Sequence, residues 1–252
     1  IDNDYGNKMH TRLKAWKQAT ENQTLISFSH KKTKQGHLVE SVFELAAVNS
    51  KAEMSYLIQP NGSVKVTHSF DYGGAHDNTE IPRVGLNMQL SLSLENVEWY
   101  GRGPHENYID RKASAFMGSY SAKVNEMKFD YGRPQENGYR TQTKQLSITD
   151  QNGVGLQFMG LPEFSFAVHN NTTDDYDDGA WKNSKRKDAL GNPKNSHLND
   201  IKPRDLLSLN IDYRQMGVGG DNSWGAKPHN QYLIWPKDYT YSFIIQPIIK
   251  DK

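Results

Sequence analysis

The chain is predicted to be all-β, an antiparallel sandwich, on three observations. Apolar residues recur at every second position in one run after another. Turn signals of hairpin type, Pro60-Asn61-Gly62 and Asn152-Gly153, join neighbouring runs. No regular helical spacing falls between the runs, which removes a repeated strand–helix arrangement.

Helical spacing occurs once, near the start, from Met9 to Ala19, where Met9, Leu13 and Trp16 share a face. Met54, Tyr56 and Ile58 then alternate, Pro60-Asn61-Gly62 turns the chain, and Val64, Val66, His68 and Phe70 alternate back. Leu86, Met88, Leu90, Leu92 and Leu94 form the longest run. Leu146 and Ile148 lead through Asn152-Gly153 into Val154, Leu156 and Phe158. Leu207, Leu209 and Ile211 alternate, as do Tyr239, Tyr241, Phe243 and Ile245. Each run places one face on a core.

Two stretches read as irregular. Trp99 to Arg140 is rich in Gly, Pro, Asn and charge. Residues 170–203 form a polar surface insertion, acidic from Asp174 to Asp178 and basic from Lys182 to Lys187. Loops this long in a compact domain are functional or mobile. No repeat and no boundary divides residues 1–252, so one domain is expected.

The 252 residues include 30 basic and 29 acidic side chains, a net charge of +1, which argues against a nucleic-acid or membrane-surface partner. With no cysteine, disulfides and thiolate metal sites are excluded. No apolar run approaches the ~20 residues of a membrane span. A mean hydropathy of −0.82 with 11% aromatics suits sheets wetted on one face and contact with carbohydrate. The chain opens on Ile1-Asp-Asn-Asp without Met or a recognisable signal peptide, as expected of an excised or processed piece. The compartment stays unassigned.

Several motifs fail on inspection. Gly101-Arg-Gly103 has Glu106 where a dinucleotide fingerprint needs Gly. Asp174-Asp-Tyr-Asp-Asp-Gly179 starts like a calcium loop, but Tyr176 and Lys185 occupy ligand positions. Asp221 replaces the first Gly of a nucleophile elbow. His105-Glu106 lacks the second His of a zinc helix.

The densest chemistry lies in Gly217-Val-Gly-Gly-Asp-Asn-Ser-Trp224. Its glycines allow tight turning and close approach to a ligand. Two readings stand: an indole platform for a sugar face with Asp221 and Asn222 holding hydroxyls, or a turn whose Trp folds back on the core. The stretch Gly101-Arg-Gly-Pro-His-Glu-Asn-Tyr-Ile-Asp-Arg111 reads as a rigid loop stapled by Glu106, Asp110 and Arg111. Gln135, Glu136 and Asn137 could line a polar cleft. Glu106 and Glu136 are the one carboxylate pair that could serve glycosidic chemistry, which requires them about 5–9.5 Å apart.

Four stretches in order, Asp2-Asn-Asp-Tyr-Gly6, Trp99 to Arg111, Pro134-Gln-Glu-Asn-Gly138 and Met216 to Trp224, resemble the C-terminal domain of family 2 β-galactosidases. That domain also occurs as the small subunit of two-chain enzymes. The resemblance implies a large super-sandwich of the galactose mutarotase type. It implies that the catalytic glutamates lie in a separate (β/α)8 barrel, so this chain alone is expected to be inactive and to hold no catalytic residue.

By the same match, Trp224 is the platform for the glucose or aglycone side of lactose, on a loop shaped by Asp221, Asn222 and Ser223. Asp2, Asn3, Asp4 and Gly6 form a loop at the mouth of the site. Arg102, His105, Glu106, Asn107, Asp110, Arg111, Glu136 and Asn137 are structural. The implied partners are a β-galactoside or glucose and the catalytic barrel or large subunit, in a full enzyme that is a homo-oligomer. Mg and Na ions belong to the barrel, with no cofactor and no metal in this chain. The family domain begins upstream of Asp2. Two alternatives remain: a mutarotase-like epimerase using His105 or His169 with Glu136, and a carbohydrate-binding module using Trp224 and Trp181.

Overall fold

The computed structural model describes residues 1–74, 79–177, 197–222 and 224–249. Among them are three short helices, α1 (Asp2–Gly6), α2 (Met9–Arg12) and α3 (Lys14–Glu21). The strands are β1 (Thr24–Thr33), β2 (Gly36–Leu45), β3 (Ser50–Ile58), β4 (Val64–Asp71), β5 (Arg83–Leu90) and β6 (Asn96–Gly103). They continue with β7 (Phe116–Lys123), β8 (Arg140–Thr149), β9 (Gly155–His169), β10 (Leu207–Gln215) and β11 (Tyr239–Ile248).

All strand pairs are antiparallel, in the order β1-β2-β3-β4-β11-β9-β8-β6-β7, with β10 joined to β9 and β5 to β10. The all-β antiparallel expectation therefore holds. β9 makes the sheet double back. Its first half, Gly155 to Leu161, pairs with β11, and its last residues, Ser165 to His169, pair with β10. Between them the backbone folds so tightly that a Cβ on Gly160 would lie 2.5 Å from Glu163 Cα.

The doubling encloses the main core. Leu207, Leu209 and Ile211 of β10 meet Leu146, Ile148, Phe158, Val66 and Phe243 in one cluster. Each fully buried aliphatic side chain there contributes roughly 1.5–3 kcal/mol. Tyr241 of β11 crosses the layer and donates its hydroxyl to Ile211 O at 2.8 Å. His68 faces the same core beside Tyr241, and burial pushes its imidazole down to about 4.

The predicted hairpins stand where the turn residues put them. Gly62 takes φ +83, and Gln59 N donates to Ser63 O at 2.8 Å. Three expectations need correction. The helix from Met9 to Ala19 is broken at Leu13, which leaves helical geometry (φ −105, ψ 14) and buries itself against Phe70, Ile81 and Val84. Met9 and Trp16 still pack on that second core. The leucine run ends as a strand at Leu90, because Ser91 begins a turn that closes with Leu94 N to Ser91 O, leaving Leu92 exposed.

Finally, Trp99 to Arg140 is not irregular throughout. It contains most of β6 and all of β7. Glycine hides β6 in the sequence, yet Gly101 is needed there, since a Cβ would lie 2.8 Å from Thr143 Cα. The insertion 170–203 is described only at its ends, a 3-10 turn at Thr173–Tyr176 and another at Leu198–Asp200. Trp181 and the basic block lie outside the described residues.

Candidate functional site

The loop after β10 is braced from three sides. From within the fold, Met216 N donates to Pro82 O at 3.0 Å and Gly217 N to Tyr232 O at 2.8 Å. Val218 packs into a small cluster with Tyr108, Tyr139 and Ala167. From below, Asp110 Oδ2 accepts the Gly219 N–H at 2.6 Å. Glycine at 217 is required by that carboxylate, because a Cβ would lie 2.7 Å from Asp110 Cγ.

From the side comes α1. Asn3 grips the loop twice, donating Nδ2 to Ala226 O at 2.7 Å and accepting Gly225 N–H on Oδ1 at 2.8 Å. Gly6 lies against the same segment, so that a Cβ would meet Trp224 O and Gly225 Cα at 3.0 Å. Gly225 has φ +109, a conformation that favours glycine. The residues expected to form a mouth loop, Asp2, Asn3, Asp4 and Gly6, are thus a helical turn docked on the Trp loop. Asp4 is half-buried in that turn.

The loop tip is organised by its own side chains. Asn222 Oδ1 accepts from Trp224 N at 2.9 Å and Ala226 N at 3.3 Å, the local turn that Asn forms readily. Asp221 Oδ1 lies 2.8 Å from His229 Nε2, both side chains open to water. Ser223 lies outside the described residues. Trp224 is 88% exposed and touches no core cluster.

The stretch Gly101 to Arg111 underlies the loop. Arg102 donates Nη1 to Ala115 O at 2.7 Å and Nε to Gln142. His105 Nε2 is 3.1 Å from Ser114 Oγ. Asn107 is buried and ties the segment to β8, its Oδ1 taking Thr141 N at 3.0 Å and Thr141 Oγ1 at 2.6 Å. Glu106 accepts Gly138 N at 2.7 Å, Arg111 Nη2 at 3.0 Å and the Tyr131 hydroxyl. Arg111 lies over the Tyr108 ring at 5.2 Å.

A second node stands behind Tyr139. Arg83 of β5 donates to Glu136 at 3.0 Å and to Gln215, and lies 3.4 Å from Asp212. Burial raises the Asp212 carboxyl to about 7 against the pull of Arg83. Asn137 Oδ1 accepts Phe129 N at 3.2 Å. Arg140 is held by the carbonyls of Met127 and Gly138, both at 2.7 Å, and burial lowers its guanidinium to about 10. Sequence reasoning missed Arg83, Asp212 and His229, which stand in no motif.

Glu106 and Glu136 are each tied up in bonds to fixed donors, an arrangement that holds loops. His169 Nε2 is 3.1 Å from Asn137 O, and burial pushes its imidazole down to about 4, so it is neutral at neutral pH. Among the described residues no group of 3 or more His, Asp or Glu could hold a metal ion.

The family profile described as Beta galactosidase small chain matches residues 1–245. A β-galactosidase of Priestia megaterium is 32% identical over 250 residues, 98% of this chain and 22% of that protein. One of Vibrio cholerae is 32% identical over 211 residues, 82% of this chain and 18% of that protein. One of Streptococcus thermophilus is 27% identical over 250 residues, 98% of this chain and 23% of that protein. The chain thus spans about a fifth of the length of these relatives.

Among solved structures it is similar to the GalM/aldose epimerase homologue from C. elegans, with TM-score 0.43 and 10% identity over 89% of this chain and 69% of that one. A galactose mutarotase-like protein from Lactobacillus casei gives TM-score 0.42 and 8% identity over 88% and 73%. With its motifs, their order and nearly its whole length matched, the chain belongs to the β-galactosidase small-chain family.

Proposed function

We propose that this chain is the non-catalytic part of a retaining β-galactosidase, and that it completes the mouth of an active site built elsewhere in the full-length protein. Trp224 offers its indole face to the glucose or aglycone moiety, and the braced loop holds that face in place. One observation carries the reading: a large aromatic side chain, 88% exposed, on a loop held rigidly by Asp110, Asn3 and Asn222. Exposing an indole forfeits roughly 2–3 kcal/mol of burial, and a rigid mount minimises the ordering cost of binding.

The reaction proceeds through a glycosyl–enzyme that water or a sugar acceptor then resolves. This chain supplies neither carboxylate. It positions glucose, first as leaving group and then as acceptor, so its contribution lies in binding and in the partition between hydrolysis and transfer. Glu106 and Glu136 keep structural roles. Mg and Na ions, where the full enzyme uses them, sit outside this chain.

The test is Trp224→Ala in the full-length enzyme. Glucose affinity and transfer to glucose should fall about tenfold or more, with formation of the glycosyl–enzyme from an aryl galactoside changed far less. Unchanged glucose affinity refutes the platform. Hydrolysis of a chromogenic β-galactoside by this chain alone would refute the division of labour.

A further inference from the structure

β1 is a free edge, and the apolar face beside it runs uncovered out of the core. Rows of directly opposed residues make this visible. One row crosses the sheet as Tyr241, His68, Met54, Ser41 and Phe28, from β11 to β1. Tyr241 is 5% exposed and Met54 7%, while Phe28 at the far end is 61% exposed. A parallel row ends at Phe43 and Leu25, and Leu25 is 52% exposed. The inner layer of β5 and β10 covers the start of each row and stops short of β1.

Ile58, at the end of β3 in the alternation Met54, Tyr56, Ile58, adds to the same open side, and Ile26 is exposed at the register shift of β1. A ten-residue edge strand, exposed almost along its whole length and carrying Leu, Ile and Phe, is a template for unwanted pairing unless something covers it. A register shift between Leu25 and Ser27 interrupts the edge, but Leu25 and Phe28 on either side of it stay exposed, at the end away from the lysines.

The β1–β2 turn is basic. Lys31 is paired with Glu40 at 3.3 Å, whereas Lys32 and Lys34 form no salt bridge among the described residues. Lys34 and Lys65 border a shallow groove on the outer face next to that turn. Lys32 follows Phe28 and His30 in the inner-face alternation, so the apolar strip ends in a cation and suits an apolar partner surface that ends in a carboxylate.

We propose that the β1 edge and its apolar inner face form an interface with the remainder of the longer polypeptide. The inference rests on the reading of this chain as one part of a larger enzyme. The relatives supply the occupant: this chain corresponds to 22% of the Priestia megaterium protein, in which the rest of the same polypeptide is the partner at hand. Tethering gives that partner an effective concentration on the order of millimolar, which a second copy of the chain does not match. The contacting segment carries apolar residues over Leu25 and Phe28 and an acidic residue beside Lys32.

The experiment is amide hydrogen exchange of β1 in the full-length protein, in wild type, Phe28→Asp and Ser27→Asp. Ser27 lies opposite Val42 on the outer face, so its variant adds the same charge away from the interface. The expected result is strong protection of β1 in wild type and in Ser27→Asp, with at least a tenfold loss in Phe28→Asp. Phe28 is exposed in this chain, so the substitution leaves the domain itself folded. Rapid exchange of β1 in the wild-type full-length protein overturns the proposal. So does protection that disappears on dilution together with a drop in oligomer mass, which would assign the edge to a second copy. Glucose affinity at Trp224 is read separately, so either proposal can fail without the other.

Discussion

Asn3→Ala is the sharpest test of how the Trp loop is held. The side chain donates to Ala226 O at 2.7 Å and accepts from Gly225 N at 2.8 Å, joining helix α1 to the loop. Removing both bonds strands a donor and an acceptor in a partly buried seam. At roughly 0.5–1.5 kcal/mol per bond, the loss is about 1–3 kcal/mol. Local opening of the loop should therefore rise about 5- to 150-fold. Amide exchange reads it directly, at Gly225 above all, because Ala226 N keeps its bond to Asn222.

Asn3→Asp gives the graded control. It retains the acceptor for Gly225 but sets a carboxylate oxygen against Ala226 O, so at least half of the effect should remain. Gly6→Ala attacks the same seam sterically, with a Cβ 3.0 Å from Trp224 O. The two changes together should cost less than the sum of each alone, since both undock α1. Loop protection within twofold of wild type in Asn3→Ala refutes the brace from α1 and leaves the loop to its remaining supports, Asp110 and Asn222 among them.

Three further outcomes follow from the same geometry. Arg83→Met leaves Asp212 and Glu136 without their cation and should cost about 3–5 kcal/mol at pH 8 by urea denaturation. Without Arg83 the Asp212 carboxyl is pushed higher still, so the penalty should shrink as pH falls toward 7 and level off below it, where Asp212 carries a proton in both proteins. His68 and His169, both pushed down to about 4, bind a proton less readily folded than unfolded. Their stabilisation is complete above the unfolded value of 6.5 and is lost as pH falls toward 4, at most on the order of 3 kcal/mol each. Asp212 acts with the opposite sign, so Asp212→Asn should steepen the acid loss in a pH series of melts, and His68→Gln should flatten it. Gly217→Ala drives a Cβ into the Asp110 carboxylate and should lower stability by about 1–3 kcal/mol, measured by thermal denaturation, with loss of protection at Gly219.

The alternation of Tyr239, Tyr241 and Phe243, and of Leu207, Leu209 and Ile211, determined by itself that these segments are strands and which face they bury. A strand with one buried face must repeat every second residue, so the information is local. The turns at Gly62 and Gly153 were equally legible, because positive φ selects glycine. β1, β6 and β7 were not. β1 has no buried face to impose a pattern, and β6 carries glycine at 101, where β8 approaches it, and at 103, against Tyr120. The break at Leu13 between α2 and α3 was not legible either, since Leu13 is buried in a core formed with Phe70, Ile81 and Val84.

At the site, the sequence pointed to the residue types and left two fates for Trp224. Only the tertiary structure removes the buried fate, because the contacts that hold the loop join residues far apart in the chain. Asp110 and Gly219 are 109 positions apart, and Asn3 and Gly225 are 222. The core is already filled by Trp99, Phe158, Phe166 and Phe243, and the brace of Asn3 and Asp110 turns the loop outward, which leaves Trp224 in water. Spacing along the chain records which way a side chain points from its own strand. It does not record what the fold brings to meet it.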